Sequence, residues 1–135
     1  METERRLVHT SLLPIRWGDM DAFGHVNNTV YFRYMEQARV EFFESLGYVL
    51  LVNASLVIVN AGCTFMIPFT YPGTVELKLY SGKPGRSSIP TTYEFRRQGD
   101  ERLFATGDAK IVWIEQSTGK SVPIPDKLRL VLDGA

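Results

Sequence analysis

The densest grouping of reactive side chains is Ile15-Arg16-Trp17-Gly18-Asp19-Met20-Asp21-Ala22-Phe23-Gly24-His25-Val26-Asn27-Asn28-Thr29-Val30-Tyr31. Two acids, a histidine and two glycines crowd into a connection of about ten residues. It feeds directly into a segment with helical spacing. Acids are thus delivered to a helix N-terminus, where unpaired N–H groups and the helix dipole favour negative charge. Such a site suits the oxyanion that appears during acyl transfer, and each well-aimed donor is worth ~10²–10³ in rate. A carboxylate beside it can serve as base or nucleophile.

The residues divide by role. Asp21 is the catalytic candidate, although aspartate also serves turns and caps. Asp19, two residues earlier, reads as a turn acid. His25 has three readings: general base, ligand to substrate, or a loop residue holding the turn by hydrogen bonds. Gly24 supplies backbone shape. Asn27 and Asn28 are helix caps, and the Asn28 amide can add a catalytic share. No metal site is expected, because His9 and His25 are the two histidines and Cys63 is the one cysteine. Cys63 sits in an apolar stretch and reads as a buried structural thiol.

The elements that must position these groups follow from hydrophobic period. Tyr31, Met35, Ala38, Phe42 and Leu46 recur three to four apart, which predicts a helix over Asn28–Leu46. Asn27 or Asn28 caps its start and Gly47 stops it. Val30, Tyr34 and Phe43 widen the apolar stripe, so the helix is expected to be buried on more than one side. Strands are predicted over Leu7–Trp17, with Pro14 implying an edge or bulge, over Leu56–Ile67, at Val75–Tyr80 and at Ile89–Arg96. A hairpin turn is expected at Gln98–Glu101. Leu103, Ala105, Ala109, Ile111 and Trp113 are expected on one face of the last strand, and Asp126–Leu132 as a short helix or a loose tail.

Five strands at ~4.8 Å spacing span roughly 20–25 Å, whereas a helix with its side chains is only ~10–12 Å across. One helix cannot cover so wide a flat sheet. The expected α+β architecture is therefore a curled antiparallel sheet of about five strands wrapped around one long central helix. Its open edges invite pairing with a second copy.

Composition sets the wider frame. The chain has 135 residues, with 15 Lys plus Arg against 15 Asp plus Glu. Residues 1–135 read as one domain, large enough to need no disulfide or metal staple. A zero formal charge argues against nucleic acid as partner. A single cysteine allows no disulfide within the chain. The N-terminus, Met1-Glu2-Thr3-Glu4-Arg5-Arg6, has no secretory h-region after it. The longest apolar run, Val49–Val59, is broken by Asn53 and Ser55 and falls short of the ~18 residues of a membrane span. A soluble cytoplasmic protein with no membrane partner is expected.

Asp21-Ala22-Phe23-Gly24-His25-Val26-Asn27-Asn28, followed by Tyr31 and Met35-Glu36-Gln37-Ala38-Arg39, resembles the acyl-CoA thioesterase branch of the hotdog-fold superfamily related to 4-hydroxybenzoyl-CoA thioesterase. Phe65-Met66-Ile67-Pro68, Tyr71-Pro72-Gly73-Thr74-Val75-Glu76-Leu77, Gly85-Arg86-Ser87-Ser88 and Thr118–Pro125 extend the resemblance from about Leu7 to Pro125. It implies a hotdog fold and hydrolysis of an acyl-CoA thioester, with Asp21 at the catalytic carboxylate position and the Asn28 N–H at the carbonyl-polarising position. It implies no cofactor, since coenzyme A is part of the substrate, and coenzyme A contacts at Arg86, Ser87 and Ser88, a segment that reads equally as a plain hairpin turn. Relatives act as homodimers or homotetramers with the active site at a subunit interface. The His-Val-Asn-Asn run is absent from the hydroxybenzoyl-type pattern and agrees better with the branch acting on fatty acyl-CoA. Two other readings fit the same residues: an acyl-thioester hydratase or dehydratase with His25 as base, and a non-catalytic acyl-CoA binding module.

Overall fold

The computed structural model describes residues 5–50 and 52–134. The chain runs β1 (Arg6–Pro14), α1 (Asn28–Ser45), β2 (Leu56–Phe65), β3 (Thr74–Ser81), β4 (Ser88–Arg97), β5 (Ala105–Trp113) and α2 (Asp126–Asp133). A 3-10 turn at Trp17–Asp19 lies between β1 and α1. The strands form one antiparallel sheet in the order β1-β3-β4-β5-β2. β1 and β2 are therefore its edges. Pro14 ends β1 opposite Thr74, which an edge strand tolerates, and the bulge lies between Leu7 and His9 instead.

Alternation decides which face is covered. Val75, Leu77 and Leu79 of β3 are buried, while Glu76, Lys78 and Tyr80 between them are half-buried. Ile89, Thr91, Tyr93 and Phe95 repeat the pattern in β4. Helix α1 adds Tyr31, Tyr34, Met35, Ala38, Phe42 and Phe43 to the same core. Each large side chain fully buried there contributes ~1.5–3 kcal/mol relative to exposure. β5 buries Ala105, Ala109, Ile111 and Trp113 in that core, and the glycine at 107 has a steric reason. A Cβ on Gly107 would meet Met35 Cε and Sδ at 2.9 Å, so the helix packs closely because the side chain is missing.

The predicted long helix is α1, of 18 residues, and of the two readings of Asp126–Leu132 the structure takes the short helix, α2, of 8 residues. Asp126–Asp133 is helical because Leu128 and Leu132, one turn apart, are both buried. Leu103 lies before β5 rather than in it and is half-buried. No helix among the described residues is long and apolar enough to cross a membrane.

Candidate active site

The 20–30 segment is held by its own backbone before any side chain acts. The Asp21 N–H donates to the His25 carbonyl at 2.9 Å, and the Gly24 N–H returns to the Asp21 carbonyl at 3.0 Å. This closes a tight turn that needs the left-handed backbone of Gly24, at φ +78°. The Val26 N–H donates to the Phe69 carbonyl and the Asn27 N–H to the Asp19 carbonyl, both at 2.9 Å, which fasten the turn to the rest of the fold.

The head of α1 is capped by Asn27. Its Oδ1 accepts from the Thr29 N–H at 2.9 Å and from Thr29 Oγ1 at 2.7 Å. Its carbonyl accepts from the Val30 N–H at 2.9 Å. The Asn28 N–H makes no hydrogen bond among the described residues. Asn28 lines a cleft of about 370 Å³ whose polar wall it forms with Asp21 and His25. The apolar wall is Phe23, Val26, Tyr31, Phe65, Met66, Ile67 and Pro68. The structure thus gathers Asp21, His25 and Asn28 around one space.

Asp21 is half-buried and directed by two donors. Its Oδ1 accepts from the Phe23 N–H at 2.9 Å, and its Oδ2 accepts from Asn27 Nδ2 at 3.3 Å. The His25 ring is exposed and makes no hydrogen bond among the described residues, so the turn is held by its carbonyl and not by its imidazole. Asp19 points elsewhere. It is buried at 7% exposure, accepts from the Arg16 N–H at 2.9 Å and from the Tyr34 hydroxyl at 2.8 Å, and lines a separate groove with Arg16, Arg33 and Tyr34.

Tyr31, expected only as core, is both buried and part of the cleft wall. The signal was available, because Tyr31 lies three residues after Asn28 and shares its side of the helix. Burial raises its hydroxyl above the ordinary tyrosine range, partly opposed by a hydrogen bond with the Phe69 backbone. Phe65 packs edge-on against Tyr31 with ring centroids 4.8 Å apart. Cys63 is half-buried in β2, and burial, reinforced by the charge of Asp108, pushes its thiol up to about 11. It is therefore a poor nucleophile at neutral pH. Among the described residues, no three His, Cys, Asp or Glu side chains are grouped to hold a metal ion.

Arg86, Ser87 and Ser88 are not near this cleft within one chain. Ser88 pairs with Val112, and Val112 with Val57. At the other end of the same strands, Phe95 pairs with Ala105, and Ala105 with Phe65 of the cleft. The span from Ser88 to Phe95 is ~23 Å at ~3.3 Å per residue. The loop backbone is tied to the C-terminal region, since the Arg86 carbonyl accepts from the Ile124 N–H at 2.9 Å and from Arg129 Nη2 at 3.1 Å. The Arg86 side chain remains exposed.

Residues 15–132 match the sequence profile of the thioesterase-like superfamily. The chain belongs to that superfamily. It is a hotdog-fold thioesterase family, and this chain is a thioester hydrolase. Three solved structures illustrate the likeness. A candidate thioesterase of Pseudomonas aeruginosa is 38% identical, with 92% of this chain and 97% of that one covered at a TM-score of 0.85. A candidate acyl-CoA thioesterase of Xanthomonas campestris is 30% identical, with 86% and 100% covered at 0.76. A gentisyl-coenzyme A thioesterase is 26% identical, with 90% and 99% covered at 0.79.

Proposed function

We propose that this thioesterase hydrolyses acyl-CoA to the free carboxylic acid and coenzyme A, with Asp21 as the catalytic carboxylate. The observation that carries the reading is that Asp21 and Asn28, whose N–H has no partner among the described residues, line one cleft. In a base route, Asp21 takes a proton from water as the water oxygen bonds to the thioester carbon. The resulting oxyanion accepts from the Asn28 N–H. Collapse breaks the C–S bond, and the departing thiolate receives the proton from Asp21. In a nucleophile route, an Asp21 oxygen attacks the same carbon, expels the thiolate and leaves an anhydride that water hydrolyses. Neither route needs a resident cofactor.

The apolar wall formed by Phe23, Tyr31, Phe65 and Met66 suits the acyl group. The His-Val-Asn-Asn run favours fatty acyl groups, and the similarity to a gentisyl-coenzyme A thioesterase keeps aromatic ones within the test. The proposed oligomer continues the sheet. β2 is an edge strand that exposes Val57 and Val59. Antiparallel pairing of β2 with a second copy would carry the partner's Arg86–Ser88 loop towards this chain's cleft, where Arg86 can meet coenzyme A phosphates.

The test is thiol release from short, medium, long and aromatic acyl-CoA esters by wild type and Asp21→Asn. Release by wild type and its loss in a folded Asp21→Asn protein support the reading. Enoyl-CoA hydration without thiol release would transfer the chemistry to His25 in a hydratase. Saturable binding with no turnover would make the chain a binding module.

A further inference from the structure

One side chain touches both the helix cap and the proposed catalytic carboxylate. Asn27 is half-buried at the N-cap of α1, with φ −61° and ψ 140°. The Thr29 N–H is only a donor, so the atom of Asn27 facing it at 2.9 Å is Oδ1. A second bond from Thr29 Oγ1 at 2.7 Å fixes the same oxygen. The amide orientation is thereby set, and its NH₂ end is left to donate to Asp21 Oδ2 at 3.3 Å. The other carboxylate oxygen is held by the Phe23 N–H at 2.9 Å. Capping therefore accounts for Oδ1 and leaves the Nδ2 contact unexplained.

We propose that Asn27 is a positioning residue for Asp21, its Nδ2–H fixing the carboxylate in register with the head of α1 while its Oδ1 caps the helix. This inference rests on the reading of Asp21 as the catalytic carboxylate. It explains the residue type, because Asp, Ser and Thr cap a helix comparably to Asn, but none presents an acceptor and an NH₂ donor at opposite corners of one plane. Other titratable side chains of the cleft are His25 and Tyr31.

Asn27→Asp and Asn27→Ser separate the two duties. Both keep a cap acceptor and both lose the donor, and Asn27→Asp also sets a negative charge beside Asp21. Thiol release is followed against substrate concentration and pH, with thermal melts on the same preparations. The expected result is a melting temperature near wild type and a kcat lower by about 10–100-fold in both variants, the effect of losing one charge-assisted hydrogen bond. KM should change less than threefold. The acidic limb of the rate profile should move to higher pH in Asn27→Asp only, because a like charge favours the protonated carboxyl. In an Asp21→Asn background, Asn27→Ser should add no further loss. Folded Asn27 variants with wild-type kcat, beside an inactive Asp21→Asn, would overturn the positioning role alone. An Asp21→Asn protein with wild-type kcat would overturn the reading of Asp21 and this inference with it.

Discussion

The Tyr34 hydroxyl donates to Asp19 Oδ2 at 2.8 Å, and this bond sends the two acids of Asp19-Met20-Asp21 to different places. Burial, reinforced by the neighbouring Asp19, raises the Tyr34 hydroxyl far above its ordinary range, so it stays protonated and donating. Asp19 pins the 3-10 turn to α1 from one groove, and Asp21 faces the cleft. An acid that stabilises and an acid proposed to react thus stand two residues apart.

Tyr34→Phe should remove stability and leave chemistry almost intact. Asp19 would keep the Arg16 N–H but lose its hydroxyl donor in a buried position, at a cost of ~1–3 kcal/mol. A melting temperature lower by several degrees with kcat within a few-fold of wild type is expected. Asp21→Asn should show the reverse, a kcat at least ~10²-fold lower with little change in melting. If Tyr34→Phe abolishes thiol release in a folded protein, the division of labour is wrong.

The distance between Asp21 and Arg86 along the strands makes a further prediction about subunits. In a two-fold dimer that shares its sites, each site combines Asp21 of one copy with Arg86 of the other. Asp21→Asn and Arg86→Ala proteins are unfolded together, refolded, and assayed at acyl-CoA well below KM. Random pairing makes half the dimers mixed, each with one intact site, so about a quarter of wild-type activity should return. Activity equal to the average of the two separate variants would place both residues' contributions within one chain.

Phe65→Ala should weaken acyl recognition. The ring forms part of the apolar wall and braces Tyr31 edge-on at 4.8 Å. Losing its contact area and the aromatic pair removes on the order of 1–2 kcal/mol from binding, a KM higher by ~5–30-fold for the preferred acyl-CoA. The kcat should change less, since Phe65 carries no polar group that could act on the thioester. Unchanged KM values across the acyl panel would remove this wall from substrate binding.

Much of this could be read from residue order because local pattern and burial agree. The alternation Val75-Leu77-Leu79 and the three-to-four spacing from Tyr31 to Phe42 each admit one face to the core, and the structure buries those faces. The helix head was legible because Asn27 can cap and a turn precedes it. Three features were not legible. Asp126–Leu132 read equally as a short helix or a loose tail, and burial of Leu128 and Leu132 decides for the helix. The placement of Arg86 at the opposite end of the strands from the cleft depends on strand register, which spacing along the chain does not encode. The second bond of Asn27 depends on which amide corner faces Thr29, a matter of three dimensions.

The outer face of β4 carries the acid expected to govern stability at low pH. Glu94 is 16% exposed in its side chain and accepts from Arg5 at 2.7 Å, Arg96 at 2.9 Å and the Tyr80 hydroxyl at 3.0 Å. Burial alone would raise its carboxyl, but the hydrogen bonds from Arg96, Arg5 and Tyr80 outweigh it and hold the group at about 2, below the ordinary 4.5. A folded-state value below the unfolded one contributes stability above pH 4.5 and loses it as pH falls from 4.5 towards 2. Solvent screening of this partly exposed cluster leaves a contribution at neutral pH on the order of 1 kcal/mol. Glu94→Gln should therefore unfold at lower urea concentration than wild type at pH 7, and the two midpoints should converge as pH approaches 2. Comparison with Glu94→Gln isolates this group from Glu41, whose carboxyl burial would raise but bonds from Ser11, His9 and Gln37 lower. Parallel midpoints from pH 7 down to 2.5 would show that the Glu94 cluster does not set the acid limb.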